Sequence, residues 1–331
     1  MTVDNSINPK DLLPRGLASM GKEYFLFPGY KFIGICLFLL MTYTPLYLAQ
    51  TFSQELKYGI THHETATIMA LTTVTGFLVY TSVFLVMGVV YTIKHPFLEQ
   101  FRSNTESWPW EKDPAGWPAE RLKQLTRTYI NIVGLNGGMT FFFCYTGVNR
   151  FQTDFDNLPS YPLLLMQVFF CFVLADFSFY WLHRLAHHPK IYWIHKHHHE
   201  AVNPTVVSSM SVHPLEWIFV DFALVLPGLV LLDDQVHYVT MISFYLWLWL
   251  GNLDDHLGYD FPWNFTKIFP WSATNTFHNY HHLVNIGNYA AHMQLWDLIF
   301  GTSKNFMDHH DHQEKEKKDK TAPTQIKLKS D

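Results

Sequence analysis

Residues 183–199 read HRLAHHPKIYWIHKHHH and put seven imidazoles into seventeen positions, directly after a long apolar run. Imidazole is the commonest side-chain ligand for first-row transition metals near neutral pH, so that density predicts a metal site. On a helix His183 and His187 fall on one face, about 6 Å apart along the axis, close enough to share an ion. His195, His198 and His199 repeat the offsets of three and four, and the same HxxHH pattern returns as His278, His281 and His282. Zinc takes three or four protein ligands, so the eight nitrogens of these three clusters predict two ions. Ligand type leaves the metal open among iron, zinc, copper and nickel. Any one of these histidines taken alone reads more readily as a solvated or hydrogen-bonded side chain; three clusters together do not. The first cluster is no HExxH hydrolase site, because Arg184 stands where the general base belongs.

Asp176 lies seven residues before His183 on the same helical face, inside an apolar run, where an ionisable group is costly and functional by default. It is expected to orient a ligand histidine through the second ring nitrogen. Asp254 and Asp255, beside His256, read either the same way or as a solvated turn. His213 reads as a further ligand, a substrate contact, or the residue that starts a helix ahead of Pro214. His188, His197, His237 and His292 have no partner at a helical offset, and His309, His310 and His312 belong to a charged tail whose composition marks it as solvated.

The elements that must position these side chains cross a bilayer. The 331 residues are 48% apolar and 17% aromatic with only 15% charged, wrong for a soluble domain and right for an all-α integral membrane protein. Apolar runs occupy 32–48, 66–93, 129–147, 161–182, 215–232 and 236–253, the third weakened by Asn131, Asn136, Gly137 and Gly138. They predict a bundle of about four to six transmembrane helices. Only Asp233, Asp234 and Gln235 separate the last two runs, and Pro227 and Gly228 interrupt the first of that pair, which reads as a re-entrant hairpin or as two crossings. Either way the chain leaves and returns on one side, so every histidine cluster ends on one face, in a helical cap. Residues 51–65 read as a short loop, and residues 94–128, with Trp108, Trp110 and Trp117, as a structured segment near the headgroups. Residues 1–28 read as an extramembrane arm without the features of a signal peptide.

Basic residues gather in 1–31 and 94–128 and are sparse in 51–65 and 148–160. The positive-inside rule then puts the former set, the histidines and both termini in the cytoplasm. The last five residues, KLKSD, resemble a KxKxx dilysine signal for retrieval to the endoplasmic reticulum. A net charge of −5 without a basic patch excludes nucleic acid as a partner. Cys36, Cys144 and Cys171 lie in apolar runs with no CxxC spacing and are expected simply to pack.

The stretches HRLAHH, HKHHHE, HPLEW, DDHLGYDFPW, HNYHH, GNYA and WDLIFGT resemble the fatty acid hydroxylase and sterol desaturase superfamily of integral membrane di-metal oxidases, from about residue 176 to residue 302. HPLE after the second box and NIGNYA after the third are most similar to C4-methylsterol monooxygenases. The resemblance implies that His183 and His187, His195, His198 and His199, and His278, His281 and His282 carry catalysis, and that with His256 of the H-x-G-Y element they hold two iron ions. Three departures stand out: His197 replaces a usually apolar residue, Leu257 replaces the usual Ser, and the first half of the chain has no matching motif. The implied organisation is a membrane region with two spans and a cytoplasmic loop (1–128), a catalytic region (129–308) and a charged cytoplasmic tail (309–331).

The implied activity is O2-dependent oxidation of a sterol C4 methyl group in the endoplasmic reticulum membrane. Breaking an unactivated C–H bond needs a high-valent metal oxidant made from O2, which zinc, lacking redox chemistry, does not supply. Neither a haem-binding HPGG motif nor a GxGxxG fingerprint is present, so the resemblance implies electrons from a separate cytochrome b5 and an NAD(P)H-linked reductase. Rival readings within the superfamily are a sterol C5 desaturase, a side-chain-acting sterol enzyme and a fatty acyl hydroxylase. Readings of a different class are a metal-binding membrane transporter and a non-catalytic scaffold. Transport places ionisable groups along a path through the bilayer, whereas here they sit at span ends, which favours chemistry.

Overall fold

The computed structural model describes residues 28–103, 106–146, 151–269, 271–310 and 312. The amino-terminal arm and the dilysine segment of the tail lie outside the described residues, whose regular elements are all helical, with isolated bridges and no strand among them. The principal helices are α1 (Pro28–Thr51), α2 (Ser53–Ile93), α3 (Trp117–Tyr129), α4 (Asn136–Thr146), α5 (Tyr161–Ala186), α6 (Leu226–Leu232), α7 (Tyr238–Asp254), α8 (Asn275–Val284) and α9 (Leu295–Ile299).

Hydrogen bonds give the direction of each pass relative to the histidines. The α1 helix begins near them, where Lys31 Nζ donates to Lys267 O at 2.8 Å, and runs away toward Tyr161, whose hydroxyl lies 2.8 Å from Thr42 Oγ1. The α2 helix returns, from the contact of Thr72 with the Tyr238 hydroxyl at 2.9 Å up to Tyr91, whose hydroxyl donates to Leu257 O. Helices α3 and α4 run away again as one bent rod, joined by a π-helical turn at Ile130–Leu135. The α5 helix brings the chain back to His183. Residues Pro214–Gln235 then descend along it: Gly228 faces Cys171, and Gln167 Nε2 donates to Gln235 O at 2.8 Å near the start of α5. Finally α7 climbs to His256. The two runs that the sequence left open between hairpin and crossings are therefore separate, oppositely directed elements of the bundle, of which Pro214–Gln235 is long and apolar enough to span a membrane. Four helices among the described residues, Gly29–Thr51, Ser53–Ile93, Tyr161–Ala186 and Pro214–Gln235, are long and apolar enough to span a membrane. The bent, more polar α3–α4 rod and the 17-residue α7 pack among them.

Two local expectations change. Residues 51–65 are largely helical, bent at Phe52 and broken at His63 (φ −148°, ψ 48°), where the chain folds back so that Gly59 approaches Thr67. Polar side chains there conceal good helix formers such as Glu55, Leu56 and Lys57. In the segment after α2, Lys94 adopts the left-handed conformation (φ 47°) and caps the helix through its N–H to Val90 O. Trp108 does not face headgroups. It is fully buried, stacked on Trp110 at 5.1 Å with the Arg102 guanidinium 4.5 Å from its ring, and it rests against Tyr91 and Tyr259, which offer it a dry aromatic surface. The central seam is between α5 and α7, where Phe172 and Trp247 stack at 3.7 Å with both rings about 1% exposed.

Candidate metal centre

Each histidine box sits on an element that aims it inward. His183 lies in the last turn of α5 and His187 is the residue that ends it, keeping the i, i+4 relation. His195 closes the helical turn Tyr192–His195, and His198 and His199 follow it. His256 lies just past α7, and His278, His281 and His282 occupy α8. That helix starts where Thr274 Oγ1 accepts from Phe277 N and where Asp260 accepts from the backbone N–H groups of Asn275 and Thr276. Such carboxylate capping satisfies the orphan donors of a first helical turn.

All nine histidines predicted to meet do meet, in two groups. His183, His187, His195, His199 and His281 form one, and His198, His256, His278 and His282 the other, with ligand atoms within 4.8 Å of one another in each. In the first, His199 Nε2 lies 2.9 Å from His195 Nε2, and His187 Nε2 lies 3.1 Å from His281 Nε2. In the second, Nε2 separations run from 3.0 Å (His282 to His278) to 3.4 Å (His256 to His198). Each HxxHH box is divided between the groups. Its i, i+4 pair serves one and its middle histidine the other, because neighbouring side chains on a helix point about 100° apart.

The outer ring nitrogens fix what the inner ones are. His183 Nδ1 donates to Tyr289 O at 2.7 Å, His281 Nδ1 to Gly287 O at 2.7 Å, His256 Nδ1 to Asn252 O at 2.9 Å, and His195 Nδ1 to Glu216 Oε1 at 2.6 Å. A carbonyl or carboxylate only accepts, so the proton sits on Nδ1 and each Nε2 presents a lone pair. The approach of His183 Nε2 to His195 Nε2 at 3.1 Å, between two rings so fixed, is then not a hydrogen bond. Lone pairs converging at about 3 Å repel unless a cation lies between them, and that is the arrangement a metal requires. Burial first, and then the neighbouring imidazoles, push His187, His195, His198, His199, His278 and His282 well below the usual histidine range, and burial holds His256 down to about 4. Neutral rings are the ligating form.

The acidic residues singled out from the sequence do other work. Asp176 bonds no ligand histidine: it accepts from His292 N at 2.8 Å, Met293 N at 3.1 Å and Trp296 Nε1 at 2.8 Å, bracing the chain after α8. Asp254 and Asp255 are buried, not in a solvated turn, and neither reaches His256 Nδ1. Asp254 accepts from Thr266 Oγ1 and Asn264 Nδ2 and faces Lys267, while Asp255 lies 3.6 Å from His292. His213 caps the turn at Pro214, its Nδ1 accepting from Leu215 N at 3.1 Å. The residue that does orient a ligand through a carboxylate is Glu216, which the sequence reading passes over. Its signal is the same as that of Asp176, an ionisable side chain in an apolar run.

Toward the spanning side the two groups open on a cavity of about 100 Å³. His183, His195, His198, His256 and His278 form its inner end, and Phe179, Trp217, Val220, Phe222 and Leu248 are among its apolar walls.

The fold and the histidine groups define a class: helical membrane proteins with paired, all-imidazole metal sites set over a cavity inside the bundle. Residues 168–302 match the family model described as Fatty acid hydroxylase. The chain is 33% identical over 230 residues to methylsterol monooxygenase 1 of Gallus gallus, covering 67% of this chain and 72% of that protein. It is 30% identical over 265 residues to methylsterol monooxygenase 2-2 of Arabidopsis thaliana, covering 76% and 91%. With a Dictyostelium discoideum protein assigned as a methylsterol monooxygenase it shares 41% identity over 152 residues, 44% of this chain and about half of that relative, 54% of its length. No solved structure matches the chain. The chain belongs to the fatty acid hydroxylase family, and its similarity there is to methylsterol monooxygenases.

Proposed function

We propose that the chain is a membrane-bound, di-iron, O2-dependent sterol oxidase that oxidises C4 methyl groups of sterol intermediates in successive steps to the carboxylate. It is an oxidoreductase by family. The single observation that carries the reading is the set of nine neutral imidazoles, in groups of five and four, at the inner end of an apolar cavity. The donor set fits the metal: nine ring nitrogens converge in two groups, and the outer nitrogens of His183, His195, His256 and His281 are held so that their Nε2 atoms present lone pairs. Two irons, when bound there, supply the oxidising equivalents from O2 that an unactivated methyl group demands.

The protein's own contribution is positioning. Tyr289 O, Gly287 O, Asn252 O and Glu216 hold four rings in one tautomer, and Asp176 and Asp297 hold the segment that carries Tyr289. The walls exclude water and receive a rigid apolar body. Sites that bury a whole ligand measure roughly 300–1,000 Å³, so the cavity as it stands takes one end of a sterol and not its full length. We take residues 129–308 as the catalytic region, the histidine face as cytoplasmic, the membrane as that of the endoplasmic reticulum, and the electron donors as cytochrome b5 and its NAD(P)H-linked reductase.

The test is a sterol profile of cells lacking the protein, together with O2 and NAD(P)H consumption by membranes that contain it. Accumulated 4-methyl or 4,4-dimethyl sterols, and consumption that depends on such sterols and tracks iron content, are the expected result. Normal C4 demethylation with accumulation of sterols that lack a ring double bond or keep an unmodified side chain transfers the assignment to another sterol oxidase. Activity that follows zinc overturns the di-iron reading.

A further inference from the structure

Besides the outer ring nitrogens of His198 and His278, the cavity wall holds four buried polar atoms with no hydrogen-bond partner among the described residues: Asn136 Nδ2 on α4, Ser209 Oγ, Glu216 Oε2 and Asp221 Oδ2. Native proteins leave few such atoms, and each one calls for an explanation. Ser209 is 1% and Glu216 3% exposed, so neither is relieved by bulk solvent. Their gathering has a structural cause. The chain from Trp217 to Phe222 is a π-helical turn. In an α-helix, residues five apart diverge by about 140°, whereas i→i+5 bonding sets them over one another, which brings Asp221 to the cavity face that carries Glu216. Turns of this kind are rare and concentrate at functional sites. Helix α4 lies alongside, with the rings of Phe143 and Phe222 5.3 Å apart, and contributes Asn136 from the facing wall.

We infer that Asn136 and Asp221, backed by Ser209 and Glu216, recognise a free hydroxyl on an otherwise apolar lipid and thereby select the substrate. A hydroxyl both donates and accepts, so a single group satisfies the Asn136 amide N–H and an oxygen of Asp221. An ether accepts only, an ammonium donates only, and a hydrocarbon does neither. Because Glu216 also holds His195, the bound hydroxyl lies close to the histidine groups, and the carbon presented for oxidation is a near neighbour of the carbon that bears it. This inference rests on the sterol oxidase reading and adds to it the residues that choose the sterol.

The experiment is displacement of a tritiated 4-methylsterol from the purified, full-length protein by the unlabelled sterol, by its 3-methyl ether and by its 3-deoxy analogue. With the wild type, the ether and the deoxy compound are expected to compete about 10–100-fold less well than the alcohol, the penalty of leaving one or two buried polar groups unpaired. In Asp221→Leu the alcohol should lose that advantage while the deoxy compound binds as before, and Asp221→Asn, nearly isosteric, should retain part of it. Should the leucine variant fail to fold, the wild-type ranking and the asparagine variant decide the matter. Equal competition by all three compounds against the wild type overturns the inference, as does an unchanged preference in both variants; in either case turnover of 4-methylsterols by the wild type leaves the sterol reading intact. Absence of both sterol binding and sterol turnover in the wild type overturns that reading, and this inference with it.

Discussion

Replacing Glu216 perturbs one metal-facing histidine without touching any ligand atom. Its Oε1 accepts from His195 Nδ1 at 2.6 Å, with the two side chains 3% and 2% exposed. A charge-assisted hydrogen bond in such a setting contributes about 1.5–3 kcal/mol. Removing the outer partner of a ligating histidine typically weakens metal affinity by about 10–100-fold, or about 1.4–2.8 kcal/mol at 1.4 kcal/mol per decade, so the two routes agree. In Glu216→Ala the imidazole of His195 is free to rotate and to move its proton to Nε2, withdrawing one of five lone pairs. Affinity at the five-imidazole group should fall about 10–100-fold. Glu216→Gln keeps an acceptor oxygen and loses only the charge, so its loss should be about tenfold or less. The hydrogen bond of Glu216 goes to His195 and to none of His198, His256, His278 and His282, so the four-imidazole group should change by less. Chelator competition against purified protein loaded with Co²⁺, whose absorbance reports its coordination, measures both groups in one titration. Wild-type affinity in Glu216→Ala, or equal weakening at both groups, would refute the reasoning.

Lys267 is 6% exposed and lies 2.8 Å from the half-buried Asp260 and 3.4 Å from the buried Asp254, so Lys267→Met leaves the buried Asp254 carboxylate without its cation and should destabilise the protein by about 3–5 kcal/mol; an unchanged melting temperature in detergent would contradict this. A Cβ added at Gly228 would stand 2.9 Å from Cys171 Sγ and 3.2 Å from Cys171 Cα, so Gly228→Ala should cost about 1–3 kcal/mol, and Cys171→Ala should restore only part of it because the backbone contact remains. Full rescue in the double variant would mean that the helices part readily there. A glycosylation acceptor carried on an insertion in residues 154–160 should be modified, whereas one in 106–116 should not, since the positive-inside rule sets the two segments on opposite sides; the reverse pattern would invert the orientation.

Eight of the nine histidines are legible in the sequence because offsets of three and four survive in any helix, whatever its partners, whereas His256 stands alone and is reached only through the H-x-G-Y element of the family resemblance. Their division into five and four is not, since it depends on how α8 lies against the turn that carries His195, an arrangement no local pattern encodes. Four of the apolar runs become helices that meet the requirements of a span, yet the bend at His63 and the burial of Trp108 follow from tertiary contacts. Asp176 is rightly marked as costly where it sits, but its partners lie 116 to 120 residues away and are mostly backbone N–H groups, which carry no sequence signature. Glu216 and Asp221 show the converse. The same criterion applied to the run after Pro214 marks both, and the π-helical turn that aligns them has no recognised motif.

Because each HxxHH box is shared, an ion held by either group would tie the turn around His195 to α8, with α5 joining through His183 and His187 or the end of α7 through His256. Segments more than 80 residues apart in the chain, such as His195 and His281, would thus be closed into loops by coordination, as a cross-link would close them. Without ions the same rings are buried lone pairs at repulsive distances, a state that favours local opening of the cap. On the di-iron reading, metal delivery would then be part of the protein's maturation. The spans would insert on hydropathy alone and the cap would close once both groups were loaded, so a cell short of iron should accumulate inserted chains whose cap is sensitive to protease while their spans remain protected.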